Sequence, residues 1–514
     1  MMTRERSFKM FFRQKNHHWL TFIFSILLTV LGLTATMNLP AQAQSTIKFD
    51  DFFLDKAMRL DFYMVGNAEE EEIIIQNIYQ EDCWPESKVN LTNPFNYGHY
   101  FLKVYEVASN RLIYAKGFDC QYGEYKTTTP ALNGVKKVFQ RAVRIPWPKR
   151  PVKVVFEARD RQNLLRPLAV ESIDPGDYHL LKETVKGGDY TFEVVKTGPP
   201  SERVDLVFLA EGYTAEDRDK FVADVKKFSD FLFEKEPYKS NQNKFNIYGV
   251  FRPSLERGMD EPRQKAYKNT VLKASFNAFD LDRYMLTEEG FALREMAAQV
   301  PYDAIVVLVN SKRYGGGGIY NDYCITTVDN QASLSTFLHE FGHSFAGLAD
   351  EYYTSDVAYN EFYPVGVEPL EPNITALLDP EHIKWQDLLS PGITIPTDYG
   401  KEETEKLQAE MRANFQEMQK ALEEAKKKNL KEAEIKKIQA QFQEKNKPIM
   451  AKIQAIREKY KHLEDKVGAF EGAGYASKGL YRPQMYCVMI SSPKMEFCQV
   501  CQRAIQQMID YYSK

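Results

Sequence analysis

His339 and His343 stand four residues apart, with Glu340 directly after the first, in the segment His339-Glu-Phe-Gly-His343. On an α-helix positions i and i+4 lie one above the other, so both imidazoles project to one side. Two neutral imidazole nitrogens there supply two of the four tetrahedral ligands that Zn²⁺ prefers, and a carboxylate beside the first is placed to take a proton from a metal-activated water. The chemistry implied is metal-assisted hydrolysis. A catalytic zinc site needs a third protein ligand. Asp350, eleven residues after His339 and just past Gly347, is the expected one, with its neighbour Glu351 the alternative; the acid not used would orient a ligand from behind.

These side chains need a rigid helix. Leu334, Leu338, Phe341 and Phe345 recur at i, i+4, i+7 and i+11, an apolar stripe that anchors such a helix in a core and leaves the histidines on another face. Ser333 or Ser335 is an expected cap, and Gly347 an expected terminator. Upstream, Val204–Leu209, Phe245–Phe251 and Ala304–Val309 read as buried strands, with a helix from about Ala215 to Glu234, which together imply an α/β layer. Between the third strand and the histidine helix lie Gly315 to Gly318 and then Tyr323–Val328. Four consecutive glycines argue against an ordinary strand interior; they mark either an edge where a substrate backbone can lie close or a loose loop.

Residues from about 46 to 190 carry short β-rich runs such as Glu72–Tyr79, Tyr100–Tyr105 and Val152–Phe156, separated by turn residues, and predict an antiparallel β-sandwich without a catalytic cluster of its own. From 400 to 465, Lys, Glu, Gln and Ala dominate, with apolar residues at three- and four-residue steps on both sides of Lys426-Lys-Lys-Asn-Leu430. This predicts a charged hairpin of two long helices, with a kink at Pro448, serving as a solvated insertion or a protein-binding arm.

The first 43 residues read as a signal peptide: Arg4, Arg6, Lys9, Arg13 and Lys15, an apolar run from Trp19 to Thr36, and Ala41-Gln-Ala43 as the cleavage site. An exported protein is expected, whether secreted, periplasmic or cell-surface, with no membrane span after removal of the signal. The chain of 514 residues carries 67 basic and 71 acidic residues. Losing five basic residues and one acidic residue with the signal leaves a net charge of −8, which argues against a nucleic-acid partner. Six cysteines in an exported protein favour disulfides, Cys83 with Cys120 first among them; a second zinc site from Cys487, Cys498 and Cys501 is the alternative, weakened by the lack of a nearby fourth ligand.

The stretch His339-Glu-Phe-Gly-His-Ser-Phe-Ala-Gly-Leu-Ala-Asp-Glu-Tyr352 resembles the signature of the IgA-specific zinc endopeptidases of gut bacteria and their relatives. So do Phe470–Tyr475, Tyr481-Arg-Pro483, Cys487-Val-Met489 and Phe497–Cys501, as does the β-domain that precedes them. The resemblance covers nearly the whole chain after residue 43 apart from the hairpin. It implies a metalloendopeptidase fold related to the metzincins, so the fold expected is α+β and multidomain. Signal peptide (1–43), N-terminal antiparallel β-sandwich (46–190) and metzincin-like α/β zinc peptidase domain (195–514) follow in order, the last carrying the 400–465 hairpin. Metzincins place glycine seven residues, and the third ligand ten residues, after the first histidine; here Ala346 and Ala349 occupy those positions, and Gly347 and Asp350 come one residue later. Met489 resembles the metzincin methionine beneath the metal, though a plain core methionine reads the same way. Tyr481 is a candidate oxyanion donor. The function expected is an exported Zn²⁺-dependent endopeptidase acting on protein or glycoprotein substrates, with His339, His343 and Asp350 on the metal and Glu340 as base. A host-surface or glycan-binding protein with a structural or vestigial zinc site is the alternative.

Overall fold

A computed structural model describes residues 47–182, 188–353, 362–428, 431–490 and 495–514; the expected signal peptide lies outside the described residues. Among them no helix is long and apolar enough to cross a membrane.

The central element is a six-stranded sheet in the order β13-β14-β12-β10-β11-β9. Strands β10 (Val204–Glu211), β11 (Phe245–Phe251), β12 (Ala304–Val309) and β14 (Tyr323–Thr327) run parallel. They are buried along almost their whole length, which is why their sequences are continuous apolar runs rather than alternating ones. The edges, β13 (Gly316–Ile319) and β9 (Tyr190–Val195), are antiparallel to their neighbours. The helices Arg218–Leu232 and Ser333–Ala346 pack together on this sheet, joined where Phe337 meets Phe228 at 5.4 Å and Phe208 at 6.0 Å.

Gly316 to Gly318 therefore form a strand, not a loop, and the absence of side chains is what allows it. A Cβ on Gly318 would sit 2.3 Å from the carbonyl oxygen of Glu340, and one on Gly316 would sit 2.5 Å from Thr336 Cγ2. Glycine lets the edge strand lie flat on the histidine helix. The outer side of this strand is partly taken, because the Met285 N–H donates to the Gly316 carbonyl (3.2 Å).

Ahead of this region lie two four-stranded sheets, one in the order β5 (Lys137–Pro148), β1 (Phe53–Gly66), β2 (Glu71–Glu81), β8 (Leu181–Lys182) and one in the order β4 (Leu112–Phe118), β3 (Tyr100–Glu106), β6 (Val152–Arg159), β7 (Leu165–Ile173). All pairings within them are antiparallel except that of β8 (Leu181–Lys182) with β2 (Glu71–Glu81). Phe62 on β1 (Phe53–Gly66) meets Phe156 on β6 (Val152–Arg159) edge-on at 5.1 Å. The first sheet also carries buried charge. Arg59 pairs with Asp61 at 2.9 Å and Glu81 at 3.2 Å, Arg144 stacks on the Tyr302 ring at 3.5 Å, and Arg141 reaches Asp322 at 2.7 Å, where Arg294 also arrives at 2.6 Å. Tyr302, Asp322 and Arg294 belong to the six-stranded region, so a buried ionic seam fastens the two parts together.

The long helices Lys401–Lys427 and Glu432–Tyr460 are antiparallel, with Asn414 against Asn446 (2.7 Å) and Glu417 against Lys445 (2.7 Å). The second runs on as one helix through Pro448. All six cysteines are unbonded, which overturns the Cys83–Cys120 pairing: Cys83 is exposed, whereas Cys120 is buried with its Sγ 3.1 Å from Met64 Sδ.

Candidate metal centre and cleft

The helix Ser333–Ala346 starts without a side-chain cap, for Ser333 Oγ instead accepts from the Asn330 N–H (3.1 Å) and Ser335 Oγ donates to the Ala332 carbonyl (2.8 Å). Phe337, Leu338, Phe341 and Phe345 are buried and Leu334 is partly so, as the apolar stripe requires. Gly347 ends the helix with φ of 60°, a left-handed conformation that costs glycine little. Its N–H returns to the His343 carbonyl (3.0 Å) and that of Leu348 to the Gly342 carbonyl (3.3 Å). This turn sends the next residues back over the imidazoles, where Asp350 reaches both.

Each histidine is held from behind. His339 Nδ1 lies 3.0 Å from the Val488 carbonyl and His343 Nδ1 2.5 Å from the Leu348 carbonyl. A carbonyl can only accept, so Nδ1 carries the proton and a neutral ring keeps its Nε2 lone pair free. The two Nε2 atoms are 3.1 Å apart, and Asp350 Oδ1 lies 3.0 Å from the first and 3.4 Å from the second. For bonds of 2.0–2.1 Å a tetrahedral face has edges of roughly 3.3 Å, so these three atoms have the spacing a zinc ion requires. Asp350 is buried; its Oδ2 accepts a short hydrogen bond from the Tyr475 hydroxyl, and its Oδ1 faces the two imidazoles. Glu351 points elsewhere, toward Asn373 and the three C-terminal cysteines. The structure thus brings Asp350, not Glu351, to the imidazoles.

Charge follows from this packing. Burial opposes charge on both imidazoles, but Asp350 outweighs it and lifts His343 to about 9 and His339 above its usual value. Burial alone would raise the Asp350 carboxyl; the two histidines hold it well below the usual carboxylate range. Burial raises Glu340, with the neighbouring imidazoles pulling the other way. The ligand-type atoms of His339, Glu340 and His343 all lie within 4.8 Å of one another.

These groups form the floor of a cleft of about 650 Å³. One wall is the glycine strand with Arg283 and Tyr284, another is Tyr352 and Tyr475, and a third comes from the N-terminal β-region through His99, Asp119 and Glu124. That third wall was not foreseen from the sequence. It is fixed by the Tyr284 hydroxyl donating to Glu124 at 2.7 Å and by the Asp119 N–H donating to the Tyr320 carbonyl at 2.9 Å. Tyr481 is not among the cleft residues; its backbone pairs with Thr375. Tyr352 and Tyr475 stand there instead, Tyr352 stacked on the His339 ring at 6.2 Å. Met489 is buried, with its Sδ 2.9 Å from where a Gly342 Cβ would be, one residue from His343.

Comparison with known proteins places this geometry. The model of the family described as IgA Peptidase M64 matches residues 192–509, and that described as Peptidase M64 N-terminus matches residues 48–169. No curated protein matches the chain. Since the first match alone spans more than half of its length, the chain belongs to the IgA peptidase M64 family.

Proposed function

We propose that this protein is an exported zinc endopeptidase that hydrolyses peptide bonds of extracellular proteins or glycoproteins. The observation that carries the reading is the convergence of His339 Nε2, His343 Nε2 and Asp350 Oδ1 within 3.4 Å of one another on the floor of a cleft, with Glu340 beside them. The donor set suits zinc: two imidazoles whose Nδ1–H groups are committed to backbone carbonyls turn both Nε2 atoms toward one buried carboxylate oxygen, where a cation would take the place of the ring protons. Bound there, zinc would polarise a water and the scissile carbonyl. Beside it, Glu340 is the group that would take a proton from the attacking water and return it to the departing amine. The Val488 and Leu348 carbonyls hold the histidine tautomers, and Tyr475 holds Asp350.

The domain reading belongs to the same proposal: a signal peptide at 1–43, a β-sandwich over 46–190, and a metzincin-like peptidase domain over 195–514 with the 400–465 hairpin inserted. It is supported by the two family matches and by the Phe62–Phe156 contact between the first two sheets. A profile of cleavage sites across a secreted proteome, run with the wild type and Glu340→Gln side by side, tests the function. Zinc retained and cleavage abolished in the variant is the expected result; undiminished proteolysis would overturn the mechanism. N-terminal sequencing of the protein recovered outside the cell tests the signal peptide, with Gln44 expected first.

A further inference from the structure

Directly behind Asp350 lies a second convergence of ligand-type atoms. Glu351, Cys487, Cys498 and Cys501 are all buried, and their donor atoms lie within 4.8 Å of one another. The sequence offered three cysteines without a nearby fourth ligand. The fold supplies it from the residue after Asp350, on the opposite side of the same extended segment.

The spacing discriminates between a disulfide and a metal. Cys487 Sγ and Cys501 Sγ are 3.7 Å apart, far beyond a disulfide bond of about 2.05 Å. Zinc–sulfur bonds of about 2.3 Å in a tetrahedron put sulfurs roughly 3.8 Å apart, and a carboxylate oxygen roughly 3.5 Å from each sulfur. Glu351 Oε1 lies 3.2 Å from Cys501 Sγ and 3.8 Å from Cys498 Sγ, on either side of that value.

The surroundings are those of anionic ligands. Cys498 caps the helix Gln499–Tyr512 at its positive end, the Cys498 N–H points at Cys487 Sγ (3.3 Å), and the Cys501 N–H points at Cys498 Sγ (3.4 Å). Asn373 Nδ2 donates to Glu351 Oε1 (3.0 Å) and to the Ala349 carbonyl (2.9 Å), while its Oδ1 accepts the Ala349 N–H (2.8 Å), so Glu351 is oriented from outside the cluster. Glu351 Oε2 is buried with no hydrogen-bond partner among the described residues. The nearby Arg482 directs its Nη1 to the Glu471 and Gly472 carbonyls instead of to Glu351. Arg482 thus acts on Glu351 only through space, with no ion pair between them, and a buried carboxyl is costly to ionise unless a cation joins it.

We infer that Glu351, Cys487, Cys498 and Cys501 form a closed structural zinc site, separate from the His339–His343–Asp350 centre and coupled to it by the chain. Four protein ligands leave no open position, so the site does no chemistry of its own. Binding releases the thiol protons to solvent. Its role is to hold the C-terminal segment against the catalytic one. The Glu351 N–H donates to the Met489 carbonyl (2.8 Å), and the Val488 carbonyl between Cys487 and Met489 receives His339 Nδ1. Thiolates tie together from behind what the cleft presents in front.

Metal analysis of the full chain tests this, using wild type, His339→Ala/His343→Ala and Cys498→Ser/Cys501→Ser. The expected contents are about two zinc equivalents for wild type, about one for the histidine variant and at most one for the cysteine variant. Should the cysteine variant not fold, the histidine variant loaded with Co²⁺ gives the answer alone, through an intense thiolate-to-cobalt charge-transfer band. Zinc retained by the histidine variant together with that band supports the site, even if wild type holds only that one equivalent and the catalytic reading fails. A histidine variant without metal, or peptide mapping of the exported protein that finds a disulfide among Cys487, Cys498 and Cys501, overturns it.

Discussion

The contact of the glycine strand with the histidine helix can be tested by adding one methyl group at a time. A Cβ at Gly318 would lie 2.3 Å from the Glu340 carbonyl oxygen and 3.1 Å from His343 Cβ. The first neighbour is helix backbone and cannot rotate away, so strand and helix must part by about 1 Å to reach an ordinary carbon–oxygen contact. Overpacking of this kind costs about 1–3 kcal/mol, offset by about 0.4–1 kcal/mol because alanine has less freedom than glycine in the unfolded chain. Gly318→Ala should therefore lose about 0.5–2 kcal/mol in urea denaturation. The parting also moves Glu340 and His343, and a displacement near 1 Å at a reacting centre costs about 100-fold in turnover. Gly316→Ala is the control: its Cβ would meet Thr336 Cγ2 at 2.5 Å and the Glu340 Cγ and Oε1 at 2.9 Å, which are side-chain atoms that can swing aside. It should keep stability to within about 1 kcal/mol yet displace the carboxylate and lower turnover comparably. Urea melts, zinc content and turnover on a substrate found by cleavage profiling make the comparison. Wild-type stability and turnover in Gly318→Ala would refute the reasoning, as would a loss of stability with turnover intact.

Three further outcomes are expected. Tyr475→Phe removes the hydroxyl that donates to Asp350 Oδ2 and should weaken catalytic zinc about tenfold in chelator competition, with the fold retained. Asp322→Ala leaves Arg141 and Arg294 buried without their shared carboxylate, and should destabilise the protein by about 3–5 kcal/mol in thermal or urea melts. His99→Gln should act in a pH-dependent way. Burial opposes charge on His99, but Asp119 at 3.0 Å outweighs it and raises the imidazole above its ordinary 6.5. A raised base stabilises the fold fully below its unfolded value and loses that contribution as pH rises through the folded one. Asp119 is lowered, burial again opposing and His99 prevailing, so its contribution is present above its unfolded 3.8 and fades as pH falls. The variant should therefore cost about 1 kcal/mol near pH 5.5 and progressively less above the raised imidazole value, read from urea midpoints at pH 5.5 and 9. An equal loss at both pH values would refute the pairing.

The sequence disclosed what local periodicity encodes. The i, i+4 spacing of His339 and His343, the stripe through Leu338, Phe341 and Phe345, and the apolar runs of β10 and β12 all depend on neighbours a few residues apart. Gly316 to Gly318 escaped because strand recognition relies on side chains that pack, and here the strand exists by having none. Glu351 and the cysteines escaped for another reason. Glu351 lies 147 residues from Cys498 in sequence, and no periodicity reports a ligand set assembled over that distance. The His99 and Glu124 wall was hidden in the same way, in a β-region whose own residues show no catalytic pattern. The choice between Asp350 and Glu351 could not be settled by spacing, since adjacent residues of an extended segment face opposite ways.

The distances along the chain that hid those partners also govern when the cleft comes into being. His339 depends on a carbonyl 149 residues downstream, Asp350 on a hydroxyl 125 residues downstream, and the wall opposite on residues near position 120. A nascent chain that has made its histidine helix has no catalytic centre, and neither has a chain threaded unfolded through a membrane. Activity arrives late and all at once, when sequence-distant pieces close on each other.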